Sequence, residues 1–249
     1  MSSARAAAEP LSTTRRTLPP RRAVALVVAL LVVANLTNNR WAPAWGLLTG
    51  PVAAALLLGV LFWSGGTWAD AGLGHADLAR GTRWALALIG IVAAVYLVGA
   101  LLPFTRELFS DQRNNGLTGL QVADRVLIRV PIGTVLLEEV AFRGVLLAVL
   151  LRVCGRAWAT TIASLLFGLW HILPSLHLST QKPALTAVFG RSMLGADLAD
   201  VGAVIFTAAA GALLCELRRR SGSLLAPMAL HWSTNALGYL TGYLLALAT

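Results

Sequence analysis

The sequence is poor in charged residues. Of its 249 residues, 12% are charged and 57% are hydrophobic, whereas a soluble domain carries about 25% charged residues. Charged side chains are costly in hydrocarbon, so chains that reside in a bilayer contain few of them. The shortage of charge therefore argues against a soluble protein and indicates one that is embedded in a membrane.

Cysteine is also scarce, and several familiar sequence patterns are missing. The two cysteines, Cys154 and Cys215, have no CxxC spacing, which argues against a zinc knuckle and a disulfide framework. The chain has no HExxH and no GxSxG motif, so the standard zincin helix and the serine nucleophile elbow are excluded. Alternating strand patterns are missing too, which excludes a membrane β-barrel.

The charge that is present is mostly positive. The formal net charge of +9 would suggest nucleic acid as a partner if the protein were soluble. The arginines instead gather in the N-terminal tail and between apolar runs, where arginine sets topology and contacts anionic lipid. We therefore expect the positively charged residues to contact the lipid bilayer and not nucleic acid. The arginine pattern favours a cytoplasmic N-terminus.

Apolar runs determine the organisation of the chain. Residues 1–22 are basic and contain three prolines, which predicts a disordered cytoplasmic tail. A short apolar run covers residues 23–36. The other runs approach the ~20 residues that a bilayer-spanning helix needs, and they cover residues 44–63, 83–103, 123–151, 157–173, 197–217 and 223–248. The sequence thus predicts an all-α, polytopic transmembrane helix bundle of about seven to eight spans.

Two segments leave alternatives open. Residues 23–36 could be the apolar region of a signal peptide, because Ala42, Pro43 and Ala44 resemble a cleavage site. A retained first helix is favoured, since the next span follows almost at once. Residues 184–195 are too short and glycine-rich to be counted as a span, and they fit a re-entrant piece or part of a broken helix.

Polar side chains at membrane depth are the most informative feature, because such residues are rare and usually functional. They fall in three separate predicted spans. The residues are Glu138, Glu139, Arg143, His171, His231 and Asn235.

The first of these spans carries two adjacent carboxylates and an arginine. Glu139 and Arg143 are four residues apart, so on a helix they share one face and can form an ion pair. Glu138 points about 100° away from that face. The spacing therefore predicts a bracing Glu139–Arg143 pair and a Glu138 that is free to act as a general base.

The other two spans supply imidazole and amide groups. His171 stands just before a helix stop at Pro174, and the spacing of His231 and Asn235 places both on one helix face. Two imidazoles and an amide can bind a metal or donate hydrogen bonds to a developing oxyanion. Together with Glu138 they form the set of groups that a hydrolase uses.

These residues reproduce three motifs in order, each in its own span. Glu138, Glu139 and Arg143 match EExxxR, Phe167 and His171 match FxxxH, and His231 and Asn235 match HxxxN. The chain therefore resembles the CPBP intramembrane proteases, also called the CAAX-protease and bacteriocin-processing (Abi) family, with the Rce1-type prenyl-protein endopeptidases. The resemblance covers about residues 120 to 240. It suggests N-terminal transmembrane helices over 23–120 and a catalytic helical core over 121–249.

The resemblance implies an intramembrane endopeptidase that cuts a membrane-associated peptide or protein. Glu138 would activate water with help from His171, while His231 and Asn235 would hold the oxyanion and Glu139 and Arg143 would shape the site. The family is often called a metalloprotease family, so Zn remains possible as a cofactor, with Glu138, His171 and His231 as the ligands. The same residues could work without any metal.

Two other classes of function compete with the protease. A non-catalytic membrane immunity or scaffold protein could keep the same fold, although a buried glutamate pair is costly to retain without use. A proton-coupled transporter would be expected to show inverted repeats, which the sequence lacks. We expect an integral protein of a bacterial plasma membrane.

Overall fold

The computed structural model describes residues 17–109, 116–176, 183–190 and 192–248. All regular secondary structure in these ranges is helical. The α-helices are α1 (Pro20–Leu36), α2 (Gly46–Trp63), α3 (Leu78–Leu101), α4 (Gly119–Asp124), α5 (Leu136–Glu139), α6 (Leu147–Trp170), α7 (Ile172–Ser175), α8 (Pro183–Phe189), α9 (Met193–Ser221) and α10 (Leu225–Leu247).

Shorter helical turns of two kinds extend or join these helices. The 3₁₀ turns are Pro43–Trp45, His75–Asp77 and Pro103–Phe109. The π-helical segments are Thr37–Trp41, Arg125–Val135 and Val140–Leu146. The last two link α4, α5 and α6 into one helical stretch that begins at Gly119. This stretch breaks at Gly155, whose φ of 73° is left-handed, and the break separates the two spans predicted there.

Four helical stretches among the described residues are long and apolar enough to cross a membrane. They are Pro20–Trp41, Pro43–Trp63, His75–Leu101 and Met193–Ser221. The third carries little buried surface, and large apolar side chains such as Leu86, Ile91 and Val95 point outward. Exposed apolar area on this scale needs lipid rather than water around it. The predicted all-α, polytopic transmembrane helix bundle is confirmed.

The core of the bundle lies around the helical stretch that carries the glutamate pair. Phe142, Val145 and Val149 are fully or almost fully buried there, and α1, α2, α6 and α9 supply the side chains around them. α10 packs along α3, and the second half of α6 packs along α9. Gly168 permits the close approach of α6 and α9, because a Cβ atom at this position would lie 2.8 Å from Cβ of Ala208.

Arginine side chains fasten one end of the bundle, which we call the arginine-rich end. Nε of Arg80 donates to the Ser221 carbonyl at 2.7 Å, and Nη2 of Arg152 donates to the Ser64 carbonyl at 2.7 Å. Arg218 likewise donates to backbone carbonyls of the loop after α2. The turns at Thr37–Trp45 and Pro103–Phe109 lie at the opposite end of α1 and α3.

The predicted tail and one predicted segment are only partly described. Residues 1–16 lie outside the described ranges, and α1 begins at Pro20. Of the segment predicted at 184–195, residues 184–189 belong to the seven-residue helix α8, and residues 193–195 begin α9. A helix of the length of α8 is too short to cross a bilayer.

Candidate active site

The glutamate pair lies on α5, a single helical turn between two π-helical segments. π-Helix is rare in proteins and is frequently found at functional sites. Both carboxylates point into the bundle: Glu138 is 7% exposed and Glu139 is fully buried. Two adjacent buried carboxylates require compensating partners on the facing helices.

Glu139 is held by a guanidinium and an imidazole. Nη1 of Arg143 donates to Oε1 of Glu139 at 3.0 Å, as the spacing of the two residues predicted. Nδ1 of His231, on α10, lies 2.7 Å from the same oxygen. The guanidinium carbon of Arg143 also lies 3.8 Å from the centre of the Phe167 ring, a cation–π contact. Glu139 therefore joins α5 to α10 through His231, and Arg143 joins the pair to α6 through Phe167.

Glu138 faces a different set of groups. Its Oε1 accepts a hydrogen bond of 3.1 Å from the indole Nε1 of Trp170. Its Oε2 has no hydrogen-bond partner in the described part of the chain. That oxygen lies 3.7 Å from Nε2 of His171 and 3.9 Å from Nε2 of His231. A buried carboxylate oxygen thus faces two imidazole nitrogens at distances too long for direct hydrogen bonds.

The contacts of each imidazole determine which nitrogen carries the proton. Nδ1 of His171 lies 2.8 Å from the Phe167 carbonyl oxygen, which can only accept, so Nδ1 must be the donor. Nδ1 of His231 is the donor to the Glu139 carboxylate by the same argument. When neutral, both imidazoles therefore present the lone pair of Nε2 towards Glu138.

The formal charges of the cluster leave room for one proton. Glu139 and Arg143 balance each other, and Glu138 is the second carboxylate. With both imidazoles neutral, the five side chains carry one net negative charge. A proton shared among Glu138, His171 and His231 makes the cluster neutral, which lowers the cost of burying it. The arrangement can therefore accept a proton and release it again.

A cavity of about 560 Å³ leads to this cluster. Glu138, Trp170 and His171 line it, and so does Asn235, which is exposed on the wall formed by α10. Residues of the turns after α1 and α3 line its other side, including Asn38 and Phe109. A cavity of this size can hold a segment of peptide.

The structure brings most of the predicted site residues together. Glu138, Glu139, Arg143, His171 and His231 form one connected cluster. Asn235 shares the cavity with Glu138 and His171, but among the described contacts no hydrogen bond joins it to the cluster.

Two further residues contact this site. The sequence left open whether Trp170, next to His171, lines the site or anchors the chain at the membrane interface, and its hydrogen bond to Glu138 places it in the site. Asn35 was missed. Asn35 lies inside the first apolar run and donates to the Trp170 carbonyl at 2.7 Å. The sequence did contain a signal for Asn35, because a polar side chain inside an apolar span is unusual and often functional.

A protein-family comparison bears directly on this cluster. Residues 125–237 match the family described as type II CAAX prenyl endopeptidase Rce1-like, and this range contains every motif residue from Glu138 to Asn235. The match covers less than half of the chain, and it shows that this region is similar to the family. The resemblance predicted from the three motifs is therefore confirmed. At family level, the match supports a membrane endopeptidase. No match was found among curated proteins or among solved structures.

Glu138, His171 and His231 are the side chains that would have to hold a catalytic zinc ion here. Catalytic zinc is held by three protein ligands at about 2.0–2.2 Å and keeps one position open. The distances from Glu138 to His171 and to His231 would each let two side chains share a cation. In the described ranges, however, no group of three or more His, Cys, Asp or Glu side chains could hold a metal ion. The described side chains thus offer two pairs that could share a cation, and no group of three.

Proposed function

We propose that the protein hydrolyses a peptide bond in a membrane-associated substrate, with Glu138 as the general base. One observation carries the proposal: Oε2 of Glu138 is buried beside the cavity without a hydrogen-bond partner in the described residues, and it faces Nε2 of two imidazoles. Oε2 of Glu139 also has no hydrogen-bond partner among the described residues, but Glu139 is fully buried and does not line the cavity, so of the two glutamates only Glu138 can meet water and substrate there. An unsatisfied oxygen that faces a cavity can bind and activate water.

The proposed reaction begins with a water molecule that donates one hydrogen bond to Oε2 of Glu138 and the other to Nε2 of His171. The oxygen lone pair of this water then attacks the scissile carbonyl carbon and forms a C–O bond, and one proton of the water moves to Glu138. The C–N bond breaks when Glu138 returns this proton to the leaving amine. The products are a carboxylic acid and an amine, so the carboxylate of Glu138 is restored.

The oxyanion of the tetrahedral intermediate needs donors that are already in place. The amide of Asn235 can donate from the cavity wall, where its side chain is exposed. His231 can donate through Nε2 when it carries a second proton, because Glu139 accepts from Nδ1 and stabilises the imidazolium. Glu139 and Arg143 would then position His231 rather than contact the substrate.

The lining of the cavity suggests the kind of substrate segment that it accepts. Asn38, Tyr96 and Thr134 offer hydrogen-bonding groups, while Leu108 and Phe109 offer apolar surface. An extended peptide that leaves a transmembrane helix presents both free backbone groups and apolar side chains. We therefore propose a membrane-tethered peptide or protein as the substrate class.

The reaction class can be tested on the purified full-length protein in proteoliposomes. The reaction is run in ¹⁸O-labelled water with a library of membrane-anchored peptides and followed by mass spectrometry. We expect pairs of product peptides in which the new carboxyl group carries one ¹⁸O atom. Modified but uncut peptides would contradict hydrolysis, as would a failure to cut any peptide of the library.

The orientation of the chain remains a proposal as well. With a cytoplasmic N-terminus, the arginine-rich end lies in the cytoplasm and the turn at Thr37–Trp41 lies outside. A membrane-impermeant thiol reagent should then label Trp41→Cys, but not Arg219→Cys, in intact cells of a strain whose protein lacks Cys154 and Cys215. The reverse labelling pattern would show the opposite orientation.

A further inference from the structure

Asn35 is a buried polar residue of α1 that the proposed reaction does not use. It is 9% exposed, and its Nδ2 donates to the Trp170 carbonyl at 2.7 Å across the interface between α1 and α6. Carboxamides at membrane depth are unusual, since each leaves polar atoms in an apolar environment. This contact lies next to the candidate active site, because Trp170 itself donates to Glu138.

The end of α6 explains why a donor is needed there. The last four carbonyls of a helix have no partner within it. At the end of α6, the backbone N–H of His171 donates to the Gly168 carbonyl, and Nδ1 of His171 donates to the Phe167 carbonyl. The carbonyl of Trp170 accepts from Asn35 instead. A side chain of α1 thus supplies the missing hydrogen bond at the C-terminus of α6, just before His171.

The orientation of the Asn35 amide is determined by its neighbours. The Trp170 carbonyl can only accept, so it must face the NH₂ group of Asn35. One turn later, Nδ2 of Asn39 donates to the Asn35 backbone carbonyl at 2.9 Å and lies 3.5 Å from its Oδ1. Asn39 also lines the cavity. The amide is therefore held from both sides.

We propose that Asn35 is a positioning residue of the active site. It holds the Trp170 backbone, so that the indole N–H stays aimed at Oε1 of Glu138 and the adjacent His171 stays opposite Oε2. This inference rests on the proposed function, because the groups that Asn35 positions are the ones that carry out the proposed hydrolysis. A displacement of a catalytic group by about 1 Å can lower a rate about a hundred-fold, so a single interhelical hydrogen bond can control kcat.

The test combines kinetics with a spectroscopic probe that does not depend on activity. The full-length protein is labelled with 5-fluorotryptophan, and the resonance of Trp170 among the eight tryptophans is assigned through Trp170→Phe. Asn35→Leu keeps the side-chain size and removes the donor. We expect it to shift the Trp170 ¹⁹F resonance and to lower kcat about ten-fold to a hundred-fold with little change in KM. Asn35→Gln, which keeps a donor, should recover part of the loss.

Val27→Ala is the matched control, because Val27 is fully buried on the same helix two turns before Asn35. It should lower the melting temperature while leaving kcat and the Trp170 resonance unchanged. If Asn35→Leu does not fold, Asn35→Ala gives the same test, since its side chain has no donor and adds no volume.

The outcomes separate this inference from the proposed function. An unchanged Trp170 resonance in Asn35→Leu would overturn the contact. A shifted resonance with wild-type kcat would overturn the positioning role. If the wild-type protein cuts no peptide, the proposed function fails, while the resonance still reports whether Asn35 holds Trp170.

Discussion

Glu138→Gln is expected to lower kcat by about a hundred-fold to ten-thousand-fold, the usual contribution of a general acid–base group. Glutamine keeps the shape of the side chain and can still accept from Trp170 through its amide oxygen. It cannot take a proton from water at neutral pH. Because a buried negative charge is removed, the melting temperature should stay the same or rise. The measurements are steady-state cleavage kinetics and thermal unfolding in detergent.

The control for this prediction is Glu216→Gln on α9. Glu216 is also a glutamate of a long helix, but it pairs with Arg219 and Arg220 at the arginine-rich end. Surface pairs of this kind contribute little to stability, so this variant should keep wild-type kinetics. Cleavage by Glu138→Gln at the wild-type rate would refute Glu138 as the general base.

Arg143→Ala is expected to lower both stability and activity. Arg143 is 1% exposed, and among the described residues its removal leaves the buried Glu139 carboxylate with His231 as its one partner. Breaking a buried ion pair on one side costs about 3–5 kcal/mol, to which the lost cation–π contact with Phe167 adds. The free energy of unfolding should fall accordingly, and kcat should fall because His231 loses its fixed position.

A double variant separates the ion pair from simple packing loss. Arg143→Met with Glu139→Gln removes both charges while it preserves volume, so it should be more stable than Arg143→Ala. It should remain poorly active, because the neutral amide introduced by Glu139→Gln can accept from His231 but cannot stabilise an imidazolium. Equal stability of Arg143→Ala and the wild type would leave no bracing role for the pair.

The sequence predicted the helical class and the local pair for simple physical reasons. Long apolar runs without charge belong in a membrane, and a helix lets each run satisfy its own backbone hydrogen bonds there. The spacing of Glu139 and Arg143 brings these side chains together on any regular helix, and the structure has them at 3.0 Å. Both predictions depend on residues that are close in the chain.

The contacts between helices could not be predicted in this way. His231 bonds to Glu139 across 92 residues of sequence, and Trp170 bonds to Glu138 across 32. No periodicity indicates which helices are neighbours or how they are rotated. The π-helical turns around α5 also have no evident sequence signal, although they influence which side of the bundle Glu138 faces. For the same reason the sequence could assign no role to Asn35, and it could not decide whether Trp170 lines the site or anchors the chain at the membrane interface.

The central claim is that Glu138 activates water without a tightly bound metal. The most direct test measures the metal content of the purified protein by mass spectrometry and its peptide cleavage before and after chelation, with Glu138→Gln treated in parallel. The account predicts cleavage that persists at substoichiometric metal and is lost in Glu138→Gln. Stoichiometric zinc together with cleavage that stops on chelation and returns with zinc would contradict it, and would make Glu138, His171 and His231 metal ligands.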